Sequence, residues 1–300
     1  MGKGGSAGQR GGGAEVVALR QGTHRGGLNP ITASPPRFAQ GDIGEWLLWT
    51  DHTPRPGWAN MAIDHALLER AEQHGESWLR LYQWAPYCLS FGRHEPANRR
   101  YDSRRISDLG LDTVRRPTGG RAVWHAEELT YAVAAPSARF GSLPAAYLEI
   151  HGMLADALQG LGASASLAPP VRAVSLDAGP CFSQPAGGEI MIGGRKVVGS
   201  AQFRQGTALL QHGSILLQEN QSILLSLTRG AIIAHSPQQS RGSANPDPQL
   251  RGRQVAKAIQ ASAGARWSGE WNPAPDLEPA LHGAASLFPH YRSAEWTWAR

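Results

Sequence analysis

Apolar positions recur at helical spacing in some stretches of the chain and alternate in others. Ile63, Ala66, Leu67 and Ala71 share one helical face. Asn60 is placed to cap that helix and Gly75 to end it. Asp64 and Glu69 read as its solvent-side residues. Residues 78–84 alternate as a strand, Ala85-Pro86 breaks the run, and 87–91 resumes it. Residues 111–116 form a further strand ending in Arg115-Arg116. Residues 122–125 and 129–133 read as a hairpin pair. Ser142 and Pro144 open a helix with Tyr147, Ile150, His151, Leu154, Leu158 and Leu161 along one side. Gly193-Gly194 separates two alternating runs, 189–192 and 195–198, as in a hairpin whose turn needs positive φ. Gln205-Gly206 gives a second turn, and 207–217 returns as a third strand. Helical segments follow at 220–229, 249–263 and 277–288. Hairpins with helices inserted between them predict an α+β fold.

Composition changes this picture mainly at the N-terminus. Residues 1–44 hold 12 of the 36 glycines and five basic side chains against two acidic ones. Such a segment buries too little apolar surface to offset its ordering entropy, so it is expected to be a disordered extension, with the folded domain over 45–300. The formal charge of +5 is therefore concentrated outside the domain. It is only weak support for a nucleic-acid partner, which calls for a dense basic face; an acidic protein partner fits a mild basic patch equally well, and no nucleic acid is expected. No run of about 18 apolar residues suggests a membrane span. Two cysteines, Cys88 and Cys181, make neither a disulfide framework nor a zinc site, and a reducing cytoplasm is the expected location.

Candidate chemistry gathers in residues 179–217. Cys181 lies between Gly179-Pro180 and Pro185. A small core residue and a nucleophile are both open readings for it. Cys88, in an apolar run, reads as core. Lys196, Val198, Ser200 and Gln202 alternate to one face of a strand. Lys196 is either an edge-strand gatekeeper or a fixed cation beside a carbonyl group. Arg116-Pro-Thr-Gly-Gly-Arg121 is a simple turn or a ligand-wrapping loop, since adjacent glycines let backbone N–H groups approach an oxygen. His125 and His212 are either structural or within reach of the same pocket.

Taken together, these residues resemble the superfamily of lipoate and biotin protein ligases and octanoyltransferases. The resemblance rests on Arg115-Arg-Pro-Thr-Gly-Gly-Arg-Ala-Val-Trp-His125, Lys196-Val-Val-Gly-Ser-Ala-Gln202, Gln211-His-Gly-Ser-Ile-Leu216, Asn60-Met-Ala-Ile-Asp64 and Glu295-Trp-Thr-Trp298. Arg121 after the glycine pair, Glu128-Leu-Thr-Tyr131, and above all Cys181-Phe182 ahead of the lysine motif are similar to the cysteine-dependent octanoyltransferases.

The resemblance implies one catalytic domain of this type. It implies a reaction in which Cys181 would take octanoyl from octanoyl-acyl carrier protein and pass it to a lysine of a lipoyl domain or glycine cleavage H protein. It implies Lys196 as the cation at the reacting group. Arg116, Thr118, Gly119, Gly120, Arg121, His125, Gly199, Ser200, Ala201, His212 and Gly213 would line the substrate site. No cofactor or metal is implied, because the thioester carries the activation. ATP-dependent lipoate ligation and acyl transfer between lipoyl domains remain alternatives. Trp124, where an aliphatic residue is common, is expected to alter the pocket's shape.

Overall fold

The computed structural model describes residues 44–169, 187–218, 221–230 and 248–299, without the side chains of 248–250. The elements run β1 (Trp46–Thr50), α1 (Gly57–His74), β2 (Ser77–Tyr82), β3 (Cys88–Phe91), α2 (Ala97–Arg100), α3 (Ser103–Asp108), β4 (Asp112–Arg115), β5 (Val123–His125) and β6 (Glu128–Pro136). Then come α4 (Leu143–Gly160), β7 (Ser166–Leu167), β8 (Ile190–Ile192), β9 (Arg195–Gln205), β10 (Ala208–Leu216), α5 (Ile223–Ser226), α6 (Pro248–Arg266), β11 (Trp271–Asn272), α7 (Glu278–Arg292) and α8 (Ala294–Thr297).

Eight strands form one mixed sheet in the order β11-β1-β2-β6-β10-β9-β8-β7 among the described residues. β1 runs parallel to β2 and β11, and the other pairings are antiparallel. One face packs under α4 and α6 through Tyr131, Ile150, Leu154 and Ile259. The other packs under α1 and α7 through Ile63, Leu67, Ala132 and Ala284. This double cover explains why β2 alternates in sequence yet is buried along its whole length: Leu79 and Leu81 face α4 and α6, while Trp78 and Tyr82 face α1. No described helix is long and apolar enough to cross a membrane.

The expected hairpin of 122–125 with 129–133 does not form. β5 instead pairs with β3 in a separate sheet of order β4-β3-β5, while β6 joins β2 and β10. The chain changes sheets at Ala126-Glu127, where the Glu127 carbonyl accepts from Leu217 N–H. Helix α1 starts three residues before Asn60, whose side-chain amide donates to the Arg55 and Gln83 carbonyls from inside the helix. The expected end at Gly75 is present, with φ of 69°. Ser142 caps α4 as expected, accepting from Ala145 N–H. Only a short α5 lies within the expected helix over 220–229, and Arg229 N–H donates to the Arg100 carbonyl.

The C-terminal helices belong to the fold. Arg115, fully buried at the end of β4, donates to the carbonyls of Trp296 and Thr297 at 2.9 and 3.2 Å and to that of Ala299. It also donates to the Gly92 carbonyl at 2.7 Å, so one guanidinium ties the chain's last turn to the loop after β3.

Candidate active site

A cleft opens on the α1 side of the large sheet, against β5 and the glycine loop after β4. Its lining is mostly apolar or aromatic, with Met61, Tyr82, Trp84, Val123 and Ala201 among the side chains. Gly120, Gly199 and Gly213 contribute wall without side chains, and Arg116, His125, Thr130, Ser200, His212 and Ser214 add polar atoms.

Two imidazoles in this wall are each held between a carboxylate and a hydroxyl. Asp64 is fully buried rather than on the solvent side of α1. Its Oδ1 accepts from Arg80 Nη1 at 2.9 Å, and its Oδ2 accepts from the Tyr82 hydroxyl at 2.7 Å. His212 Nδ1 lies 2.8 Å from the same Oδ2. A carboxylate held by an arginine accepts, so His212 donates from Nδ1 and is left with an acceptor at Nε2. The Thr118 hydroxyl fills that position at 2.7 Å. Burial pushes the His212 pKa below the ordinary histidine value, against the opposing pull of Asp64. The neutral ring therefore ties the glycine loop, through Thr118, to β10.

The second relay runs from Glu128 to Arg116. Glu128 Oε1 accepts from His125 Nδ1 at 2.7 Å and from the Thr130 hydroxyl at 2.6 Å, and its Oε2 accepts from Ser214. Ser90 Oγ lies 2.6 Å from His125 Nε2 and receives Arg116 Nη1 at 2.5 Å. Arginine only donates, so Ser90 Oγ accepts from Arg116; with His125 Nδ1 donating to Glu128, a neutral ring accepts from the Ser90 hydroxyl at Nε2. Ser90, His125 and Glu128 thus have the makeup of a hydrolytic triad. Ser90 is nevertheless fully buried and does not line the cleft, so the arrangement serves to fix the ring. The His125 ring stacks on Trp84, with centroids 3.9 Å apart.

Arg116 lines the cleft, as expected, and also organises the loop beside it. Its Nη2 donates to the Gly119 and Arg121 carbonyls at 3.1 and 2.9 Å, so it folds the glycine loop around itself. Gly120 sits at φ of 88°, where a side chain is strained. Gly92 passes so close that a Cβ there would lie 1.9 Å from the Gly120 carbonyl oxygen. Gly92→Ala is expected to lower stability by about 1–3 kcal/mol, because backbone on both sides must move. Urea unfolding measures the loss, and an unchanged midpoint would contradict the close approach.

Of the other expected residues, Thr118, Gly119 and Arg121 lie in the glycine loop but outside the lining. Lys196 is buried, with Nζ 2.6 Å from Glu189 Oε1, and also lies outside the lining. It is no edge gatekeeper, since β9 runs between β8 and β10. Nor does it share a face with Val198. A bulge pairs Met191 with Lys196 but Ile190 with Val198, leaving Val197 as the extra residue. Ile190 and Val198 enter the core under α4, so Lys196 and Met191 point to the opposite face, the one bearing Ala201 and the cleft.

Cys181 lies outside the described residues. Residues 168 and 188 are side by side: Gly188 N–H donates to the Ala168 carbonyl at 2.8 Å and Ala168 N–H to that of Glu189 at 2.7 Å. Cys88 is core, as expected, and burial pushes its thiol pKa well up. Trp124 packs with Leu89, Tyr101 and Leu224 beneath the small sheet, on the opposite side of β5 from Val123 and His125, and so does not shape the cleft.

A third imidazole lies under the sheet. His151 Nδ1 donates to the Gly188 carbonyl at 2.7 Å. Its Nε2 therefore accepts from Ser200 Oγ at 2.7 Å, Ser200 accepts from Tyr131 at 2.6 Å, and Tyr131 accepts from Gln211 at 2.9 Å. Burial, opposed by the Gly188 bond and aided by the Lys196 charge, lowers its pKa to about 4. The unfolded chain then binds this proton first, so stability is full above the ordinary histidine value and falls as pH drops toward 4. The expected loss is on the order of 3 kcal/mol. A His151→Gln variant should lack this part of the acid slope in unfolding measured between neutral pH and pH 4.

Comparison with known proteins adds to this geometry. Residues 56–244 match the family described as the lipoyl protein ligase A/B catalytic domain. The chain belongs to that family. It is 41% identical over 172 residues to the octanoyltransferase LipM of Carboxydothermus hydrogenoformans, covering 56% of this chain and 64% of the relative. It is 39% identical over 178 residues to the octanoyltransferase LipM of Moorella thermoacetica, covering 57% of this chain and 65% of the relative. The chain thus spans just under two thirds of the length of these relatives. Among solved structures, protein Ta0514 of T. acidophilum with bound lipoic acid superposes with a TM-score of 0.66 at 22% identity, over 85% of this chain and 99% of that one. Lipoate-protein ligase A bound with ATP gives 0.66 at 20% identity, over 85% and 98%. These two likenesses establish the family's catalytic-domain fold.

Proposed function

We propose that the protein transfers an octanoyl group from octanoyl-acyl carrier protein to a lysine of a lipoyl domain or glycine cleavage H protein. The similarity at about 40% identity to octanoyltransferases carries this reading. The chain's own cysteine ahead of the lysine motif supplies the nucleophile. The Cys181 thiolate attacks the donor's carbonyl carbon. The bond to the carrier's sulfur breaks, the carrier leaves as a thiolate that takes up a proton from solvent, and the octanoyl group rests on Cys181 as a thioester. The acceptor lysine's neutral amine then attacks, an amide forms, Cys181 leaves as thiolate, and the amine's proton passes to solvent or a base.

Burying the acyl chain's six methylenes in the cleft would stabilise the complex by about 5 kcal/mol. Lys196 stands for the cation that favours the thiolate and the developing oxyanion. The thioester supplies the activation, so ATP has no part in the reaction.

Intact-mass analysis after incubation with octanoyl-acyl carrier protein tests the proposal. One added octanoyl group on Cys181, transferred onward to a lipoyl domain, is the expected result. Attachment of free octanoate or lipoate that depends on ATP, with no adduct from the carrier, would overturn it in favour of a ligase.

A further inference from the structure

We infer that Glu189 is a positioning residue for Lys196, holding its ammonium charged and fixed on the cleft face of the sheet. Three observations carry this assignment. Lys196 Nζ and Glu189 Oε1 are 2.6 Å apart, with 2% and 7% of the side chains exposed. A lone ammonium buried this deeply would be driven toward its neutral form by desolvation, whereas a carboxylate in contact favours the charged form.

The second observation is register. Lys196 pairs with Met191 across the β8–β9 hairpin, so Glu189, two residues before Met191, is its diagonal neighbour on the same face. That shared face exists only because of the bulge at Val197. In an unbulged ladder, Lys196 would stay on the face of Val198, which enters the core under α4.

The third is that the backbone of Glu189 is itself anchored. Its carbonyl accepts from Ala168 N–H, and the preceding Gly188 is held by Ala168 and by His151 Nδ1. A carboxylate on a fixed main chain fixes the direction of the ammonium's other N–H bonds, which matters for a group meant to meet charge at one place. The contribution to turnover rests on the octanoyl-transfer reading, and the hold on the lysine does not.

The experiment separates the two. The chain has three lysines, Lys3, Lys196 and Lys257, so protein labelled with carbon-13 lysine gives few side-chain signals to follow against pH, with Lys196 assigned by Lys196→Arg. In Glu189→Gln the Lys196 signal should titrate about one pH unit or more lower than in the unaltered protein. Glu189→Asp should restore most of the difference. Thermal melts confirm that each variant is folded.

In the transfer assay, the alkaline limb of the kcat/KM profile should move down by the same amount in Glu189→Gln and return in Glu189→Asp. Equal Lys196 midpoints in the unaltered protein and Glu189→Gln would overturn the inference whether or not the protein transfers octanoyl. A shifted midpoint in a protein that forms no octanoyl adduct would uphold the hold on the lysine and sink only the transfer reading. A shifted midpoint with an unmoved alkaline limb would remove Lys196 protonation from turnover.

Discussion

Arg80→Met is expected to destabilise the protein by about 3–5 kcal/mol, the cost of breaking a buried ion pair from one side. Arg80 is fully buried and bonds Asp64 at 2.9 Å, Asp51 at 2.8 Å and the Asn60 side chain at 2.8 Å. Its guanidinium also lies 3.9 Å from the Tyr82 ring centre. Methionine fills comparable space but leaves Asp64 buried with Tyr82 and His212 as its donors among the described residues. The damage reaches the site, because Asp64 sets the His212 ring that holds Thr118. Guanidinium unfolding measures the loss. Paired with Asp64→Asn, the double variant should cost less than the sum of the two single ones, since each already breaks the same contact. Full additivity would mean that the two side chains act independently.

Cys181→Ala is expected to lower octanoyl transfer by at least roughly ten-thousand-fold and to abolish the covalent adduct, as removal of a nucleophile does elsewhere. The comparison is clean because the chain has one other cysteine, Cys88. Cys88 is fully buried with its thiol pKa pushed well up, so it holds little thiolate to acylate. Cys88→Ala should therefore keep the adduct. Rates with octanoyl-acyl carrier protein, read beside intact masses, check both variants. Substantial transfer by Cys181→Ala would remove the thioester intermediate from the proposal.

The local signals that proved readable were those that act over a few residues. Gly75 ends α1, Ser142 caps α4, and Gly193-Gly194 turns β8 into β9, each for a reason contained in the neighbouring backbone. The motif residues His125, Gly199, Ala201, His212 and Gly213 likewise meet at the cleft. Asp64 was misread because helical spacing says which residues share a face, not what covers the others. A buried arginine from β2 meets it on the face expected to be wet. The β5–β6 hairpin failed for a similar reason: short apolar runs state that they are strands, but not which strand completes the hydrogen bonding.

The longer strands and helices, and the turns that need glycine, were legible in the chain alone, because φ preference and apolar period act locally; the short α2, α3, β7, β11 and α8 were not. The sequence also placed the motifs that bring the chain into its family. It took the folded chain to show that Arg116 and Arg115 hold backbone carbonyls, that two imidazoles are fixed by Asp64 and Glu128, and that a one-residue bulge turns Lys196 toward the cleft face and Glu189. Those outcomes depend on which distant groups share a low-dielectric interior, where every buried donor and charge must find a partner.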